Sequence, residues 1–327
     1  MNEAQKKLLR SSPHLICASA FSSAGIVLQG YQRAGFSIGA GLDMDINAAA
    51  ILDANYKAPD GSSITNFGQP DKPVDVTQIS GSDITAFVKR KYGTDVIALL
   101  EQGPSCQDYS PINKGGDAGR RGLMLMALTL IEEALPFTAV IEESSLFFAD
   151  KHSDVREAYF EKVRKMPYRS AYIKRMNSIH WGSNQSRNRF VHLFVREDLE
   201  MDPIFPQPLA TPPKRVKDFL PIDKFHSGHF CDKIKTKNDF MCTVTSGSPL
   251  WFYQDGKKWH PTEEELMLCD DLDPNTFKLV GTAQARKVAL GNLMSPALGY
   301  EIGKTIREKI LGYNRFENGL WIPYWIS

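Results

Sequence analysis

Between residues 14 and 144 the chain repeats one pattern. A short apolar run stops at a loop of small or acidic residues, and a stretch with helical spacing follows. "HLICASAF" (14–21) stops at "SSAG", and "IVLQGYQRAGF" (26–36) continues with helical spacing at Ile26, Gln29, Gly30 and Arg33. "SIGAGLDMD" (37–45) ends in acids before the Ala-rich "INAAAILDANY" (46–56). "DVIALLEQG" (95–103) runs into "GPSC", "GLMLMALTLIEEAL" (122–135) reads as a helix, and "FTAVIEES" (137–144) again ends in acids. "RNRFVHLFVRED" (187–198), with β-branched and aromatic residues, reads as a further strand. Strands alternating with helices predict a mostly parallel sheet covered on both faces. Such sheets bind ligands at the carboxyl ends of their strands. "SSAG", "DMD", "GPSC" and "IEES" all fall at such ends, so the pattern places Cys106 at a ligand-binding rim.

A thiol there has two readings. Free cysteine behaves as a small core hydrophobe, or it is a nucleophile held just past a buried strand. The other cysteines, Cys17, Cys231, Cys242 and Cys269, are widely spaced, and the total of five is odd. No CxxC occurs, which argues against a disulfide framework and for a reducing compartment. The first residues carry no apolar segment long enough for a signal peptide, and no apolar stretch is long enough to span a membrane. The expectation is a cytoplasmic protein of prokaryotic or phage type. A formal net charge of +1 excludes a bulk polycation, so nucleic-acid binding would need local basic patches.

The pattern breaks near residue 199, where "DLEMDPIFPQPLATPPKRVKDFLP" is rich in proline. Residues 200–258 hold nine Lys/Arg against seven Asp/Glu and read as short strands and turns. Helical text returns at "TEEELMLCDDL" and at "QARKVALGNLMSPALGYEIGKTIREKIL". The expected organisation is a large domain over 1–199, a smaller one over 200–258, and a return segment over 259–327. "HSGHFC" (226–231) with Cys242 matches no standard zinc spacing, and no metal is expected.

In order, these segments resemble the DNA (cytosine-5)-methyltransferases. "FSSAG" (Phe21, Ser22, Ser23, Ala24, Gly25) is similar to that family's Phe-x-Gly-x-Gly loop, "DMD" to its acidic second strand end, and Asp75-Val76 to its third motif. "GPSCQDYS" resembles the Pro-Cys-Gln loop, "IEES" the Glu-Asn-Val motif with Glu142 in place, and Gln185, Arg187 and Arg189 complete Gln-x-Arg-x-Arg. "GNLMSP" supplies the Gly-Asn near the end, with Asn292. The resemblance spans roughly residues 14–198 and 259–310. Single motifs are weak; the set in order is specific. Four positions depart: Ser23, Ser105, Glu143 and Ser144.

The resemblance implies a Rossmann-like α/β methyltransferase fold, a mostly parallel doubly wound sheet with a smaller target-recognition domain. It implies S-adenosyl-L-methionine as methyl donor, held by residues 21–25, Asp43 at the ribose, Met44 at the adenine, Asp75 and Val76, Gly103 and Asn292. It implies methyl transfer to carbon 5 of a flipped cytosine through a covalent Cys106 adduct. Glu142 would hold a proton at N3, Arg189 would donate to O2, and Arg187 would position the nucleophile, sugar or phosphate. An i, i+2 spacing puts both arginines on one strand face. Gln107, Tyr109, Ser110, Lys114, Arg120, Arg121 and Gln185 are the expected DNA-side residues. Double-stranded DNA is the implied partner, a cognate restriction nuclease a further one, and a monomer the expected state.

Two alternatives stay open. The first keeps the chemistry but acts on tRNA; relatives of that kind keep a Pro-Pro-Cys-Gln loop, which Ser105 breaks here. The second is a catalytically degenerate DNA-binding member, against which Cys106, Glu142 and Arg189 stand. A dinucleotide oxidoreductase lacks support, because no GxGxxG follows the first strand.

Overall fold

A computed structural model describes residue 3 and residues 14–104, 122–227, 231–247, 249–317 and 320–323. Cys106, Gln107, Tyr109, Ser110, Lys114, Arg120 and Arg121, with Ser105, lie outside the described residues.

The first strand, β1 (Ile16–Ala20), is buried at every position. After it come α1 (Ile26–Arg33), β2 (Ser37–Leu42) and α2 (Ile46–Asn55). Next are α3 (Gly81–Tyr92), β3 (Leu99–Gln102), α4 (Leu123–Ala134) and β4 (Thr138–Ser144). Side chains packed on both faces of a strand demand near-continuous apolar runs, which is why "ICASA", "LLEQ" and "TAVIEES" carry few exposed positions.

Two further strands close the sheet, β5 (Tyr168–Asn177) after α5 (Ser153–Val163), and β6 (Asn188–Arg196). The order is β2-β1-β3-β4-β6-β5. β1 through β4 run parallel, and β6 lies antiparallel to both β4 and β5. The sheet is therefore mostly parallel with an antiparallel edge. β5 went unread in the sequence because an edge strand is half solvated: Arg169, Tyr172, Lys174 and Arg175 are exposed and dilute the apolar signal. α3 and α5 were also unread, although Ser80 and Asp83 form a capping box at the start of α3 and Gly93, in the left-handed region, ends it.

A second sheet follows, β7 (Lys224–Ser227), β8 (Cys231–Thr236), β9 (Leu250–Gln254) and β10 (Lys257–Trp259), in the order β10-β9-β7-β8 and wholly antiparallel. It encloses a separate apolar cluster around Val216, Phe225, Met241 and Phe252. The chain then returns through α6 (Glu263–Cys269), α7 (Ala283–Gly291) and α8 (Pro296–Thr305) to a hairpin, β11 (Tyr313–Glu317) and β12 (Leu320–Pro323). The long helical text from 283 onward breaks at residues 292–295, where Pro296 starts a new helix. α8 packs on α1, joining Leu298 and Ile302, with Ile306 just past its end, to the core that holds Val27 and Tyr31. The end of the return segment thus belongs to the first sheet's core, while Cys269 in α6 joins the second cluster.

Gly291 marks where the two sheets meet. A Cβ there would lie 2.1 Å from the Ser246 backbone nitrogen and 2.7 Å from its Cα. Backbone cannot rotate away as a side chain can. Gly291→Ala should therefore cost about 1–3 kcal/mol, as overpacking does, read as a lower urea midpoint. Unchanged stability would show that the 245–246 segment yields freely.

Candidate active site

One cavity of about 530 Å³ opens at the carboxyl ends of β1 to β4. Its walls bring together Phe21, Ser22, Ser23, Ala24, Asp43, Met44, Asp75, Val76, Gly103 and Asn292, all expected there, with Glu142, Arg187 and Arg189. Gly25 is not in the wall. It caps α1 in the left-handed region at φ 67°, and an added Cβ would press on Leu52 and Tyr56 at 3.0 and 3.1 Å.

Phe21, Ser23 and Gly25 all adopt positive φ, at 56°, 48° and 67°. Ser23 thus takes the conformation a glycine takes more cheaply, so this departure costs strain while the turn persists. Its N–H donates to Asp43 Oδ2 at 2.7 Å, and the Asp45 N–H donates to Asp43 Oδ1 at 2.9 Å. Burial pushes the Asp43 carboxyl upward, and these backbone donors oppose it. The first N–H groups of a helix have no intrahelical partner, and α1 starts against the cavity with Ile26 and Val27 in its wall. Met44 is 64% exposed, an apolar side chain spread over the cavity's flank. Asp75 accepts from the Thr77 N–H and hydroxyl, at 2.9 and 2.8 Å.

Glu142 and Arg189 form an ion pair through Arg189 Nε and Glu142 Oε1, with side chains only 13% and 14% exposed. They sit diagonally across β4 and β6, where Glu142 faces Val191 and Ser144 faces Arg189. The deeply buried acid on β4 is Glu143, whose neighbouring side chains alternate to the opposite face. Burial raises the Glu143 carboxyl well above the usual range, with Glu142 adding in the same direction. Ser144 accepts from the Leu146 N–H at 3.3 Å and caps the turn that follows.

Arg187 is buried and donates to the Val244 carbonyl at 2.9 Å and the Gly291 carbonyl at 3.0 Å. It ties the second sheet's segment to the end of α7 while lining the cavity. Gln185, expected on the DNA side, is instead wholly buried. It accepts from the Val244 N–H at 3.0 Å and donates to Asp270. Its amide braces the junction and is absent from the cavity wall. Asp270 and Asp271 were not anticipated. Asp271 accepts from Ser295 Oγ at 2.7 Å and from the Asn184 N–H. Burial pushes Asp271 up to about 6, and pushes Asp270 well up against the pull of Arg187. The paired acids "DD" after an apolar helix were the available signal.

Glu101 was also missed. It lies in mid-strand in β3, lines the cavity, and accepts from Ser19 Oγ at 2.6 Å. A single acid inside an otherwise apolar strand was its signal. Among the described residues, Cys17, Cys242 and Cys269 are buried, and burial raises the Cys17 and Cys269 thiols well above the ordinary range. No group of three or more metal-binding side chains occurs among the described residues, and no described helix is long and apolar enough to cross a membrane. Residues 228–230 of the His/Cys segment lie outside the described residues.

A mostly parallel sheet with an antiparallel edge, and a cavity at its carboxyl rim, is the architecture of an α/β methyltransferase. The fold matches a prophage-encoded E. coli protein named as a DNA modification methyltransferase, with a TM-score of 0.69 at 19% identity over 91% of this chain and 99% of that one. It also matches Spodoptera frugiperda DNMT2, with a TM-score of 0.62 at 14% identity over 89% and 99%. The chain belongs to the C-5 cytosine-specific DNA methylases, whose family model matches residues 16–266. Relatives include the Type II methyltransferase M.NaeI of Lentzea aerocolonigenes, 24% identical over 237 residues, 71% of this chain and 52% of that protein. Another is M.AquIA of Picosynechococcus sp., 28% identical over 243 residues, 71% of this chain and 89% of that protein. The chain thus spans about half of the first relative's length and most of the second's.

Proposed function

We propose that this chain methylates carbon 5 of cytosine in duplex DNA, using S-adenosyl-L-methionine. The observation that carries the reading is the Glu142–Arg189 ion pair in the cavity wall beside Gly103 and Pro104, the residues that lead into Cys106. Carbon 5 of cytosine is a weak nucleophile. Addition of the Cys106 thiolate to carbon 6 makes carbon 5 enamine-like, which is nucleophilic catalysis. As charge moves toward N3 and O2, Glu142 holds a proton at N3 and Arg189 donates to O2. Loss of the carbon-5 proton then expels the thiolate and restores the ring.

The donor supplies an electrophilic methyl group. Residues 21–25, the start of α1, Asp43 and Met44 would hold it, and two features of the cavity fit it. The Asp43 carboxylate is anchored by backbone N–H groups, as an acceptor for ribose hydroxyls needs to be. The start of α1 in the wall suits a carboxylate. Asp43→Ala should weaken donor binding by about 1.5–3 kcal/mol, the scale of a charge-assisted bond, measured by calorimetry. Unchanged affinity would place the donor elsewhere.

A base inside a duplex must be flipped out to be reached. Residues 200–258 serve as the target-recognition domain in this reading. Lys114, Arg120 and Arg121 contact phosphates, and the enzyme acts as a monomer, in the cytoplasm, beside a cognate restriction nuclease. Labelled methyl transfer should go to duplex DNA and not to tRNA; transfer to tRNA alone would overturn the DNA assignment.

A further inference from the structure

Among the described residues, no cation pairs with the Glu101 carboxyl. Glu101 is 3% exposed. The groups that act on it are Ser19 and Glu142, and Cys17 on β1 and Tyr31 on α1 feel its charge in turn. Ser19 engages Oε2. The other oxygen faces Gly103: a Cβ built there would lie 4.0 Å from Glu101 Oε1 and 3.7 Å from Glu142 Oε2. Both carboxyls therefore converge on Gly103, at the end of the cavity that holds the Glu142–Arg189 pair. Isolated buried charge is costly, and burial pushes Glu101 up to about 8, with Glu142 adding to the rise. Burial thus favours the neutral carboxyl, and a cation placed beside it would favour the ionised form.

We propose that Glu101 is the counterion of the donor's sulfonium, and so the residue that distinguishes S-adenosylmethionine from its uncharged product. This rests on the donor assignment above. The methyl-bearing sulfur must lie beside the base, the base beside Glu142, and Glu142 shares Gly103 with Glu101. Methyl transfer turns the sulfonium into a neutral thioether. Glu101 then loses its partner and takes up a proton from solvent, which loosens the product.

The sign follows from linkage. Below pH about 8 the free carboxyl is mostly protonated. A cation beside it favours the ionised form. Binding of S-adenosylmethionine near neutral pH therefore releases a fraction of a proton, and affinity rises as pH climbs toward about 8. S-adenosylhomocysteine releases none at this group. Asp43 meets the ribose of both ligands, so the difference between them isolates Glu101 from Asp43.

Titration calorimetry of the full chain with each ligand, in buffers of different ionisation enthalpy, tests this. Wild type should release more proton with S-adenosylmethionine than with S-adenosylhomocysteine. Glu101→Gln, which keeps a partner for Ser19, should abolish that excess. It should weaken S-adenosylmethionine by roughly 10–100-fold, the scale of one charge-assisted contact, with the homocysteine form nearly unchanged. Equal proton release by the two ligands in wild type, a measurement needing no variant, would overturn the inference while leaving the donor assignment intact. Equal weakening of both in Glu101→Gln would do the same. Binding of neither ligand to wild type would remove both.

Discussion

DNA carrying 5-fluorocytosine at the target site should trap the wild-type chain in a complex that survives denaturation, and Cys106→Ala should abolish both the trap and turnover. In the proposed mechanism the thiolate adds to carbon 6, carbon 5 takes the methyl group, and release requires that carbon 5 lose its proton. Fluorine cannot leave that way, so the carbon–sulfur bond persists. The other described thiols make poor substitutes. Cys17 and Cys269 are buried and held protonated, and Cys242 is buried in the second sheet's cluster. The thiolate, not the thiol, is the nucleophile. Gel mobility and peptide mass mapping of the adduct are the measurements. A full-strength adduct in Cys106→Ala, mapped to another cysteine, would show that the nucleophile is misassigned. An active wild type that never forms the adduct would point to direct transfer instead.

How far the sequence could be read depended on burial. The parallel strands were legible because both their faces are packed, leaving apolar runs that end abruptly at polar rims. β5 was not, since it is half solvated and its exposed charges interrupt the apolar signal. The cavity wall was legible through motifs, because the residues that line it cluster at strand ends. Residues acting through buried polar contacts were harder. Gln185 belongs to a recognisable motif, yet only the fold shows that its amide meets Val244 and Asp270. Asp271 gains its meaning from Ser295 and Asn184, which lie far from it in sequence. Glu101 reads locally as one polar residue in a strand, and becomes informative only when Ser19, Gly103 and Glu142 are seen around it.

Glu142→Gln and Arg189→Ala should each lower kcat by about 10²–10⁴, the range for loss of a positioned proton-transfer group, and the double variant should be little slower than the worse single one. The two side chains form one ion pair at low exposure, so neither acts alone. Removing Arg189 takes away the proposed O2 donor and leaves Glu142 without its partner in a poorly solvated site, where an uncompensated charge is costly. Removing the Glu142 charge leaves Arg189 in the same position. Residues in contact give non-additive cycles, and residues that work as a unit give grossly non-additive kinetics. In the proposed mechanism, base entry exchanges the ion pair for contacts at N3 and O2. The effect should therefore fall on kcat and on the rate of adduct trapping, with donor affinity nearly unchanged. Arg189→Lys should recover only part of the activity, because a single ammonium cannot reproduce the planar fork of guanidinium. Strictly multiplicative losses in the double variant would show that the pair does not act as a unit. A fall in donor affinity that matched the fall in rate would move both residues into donor binding.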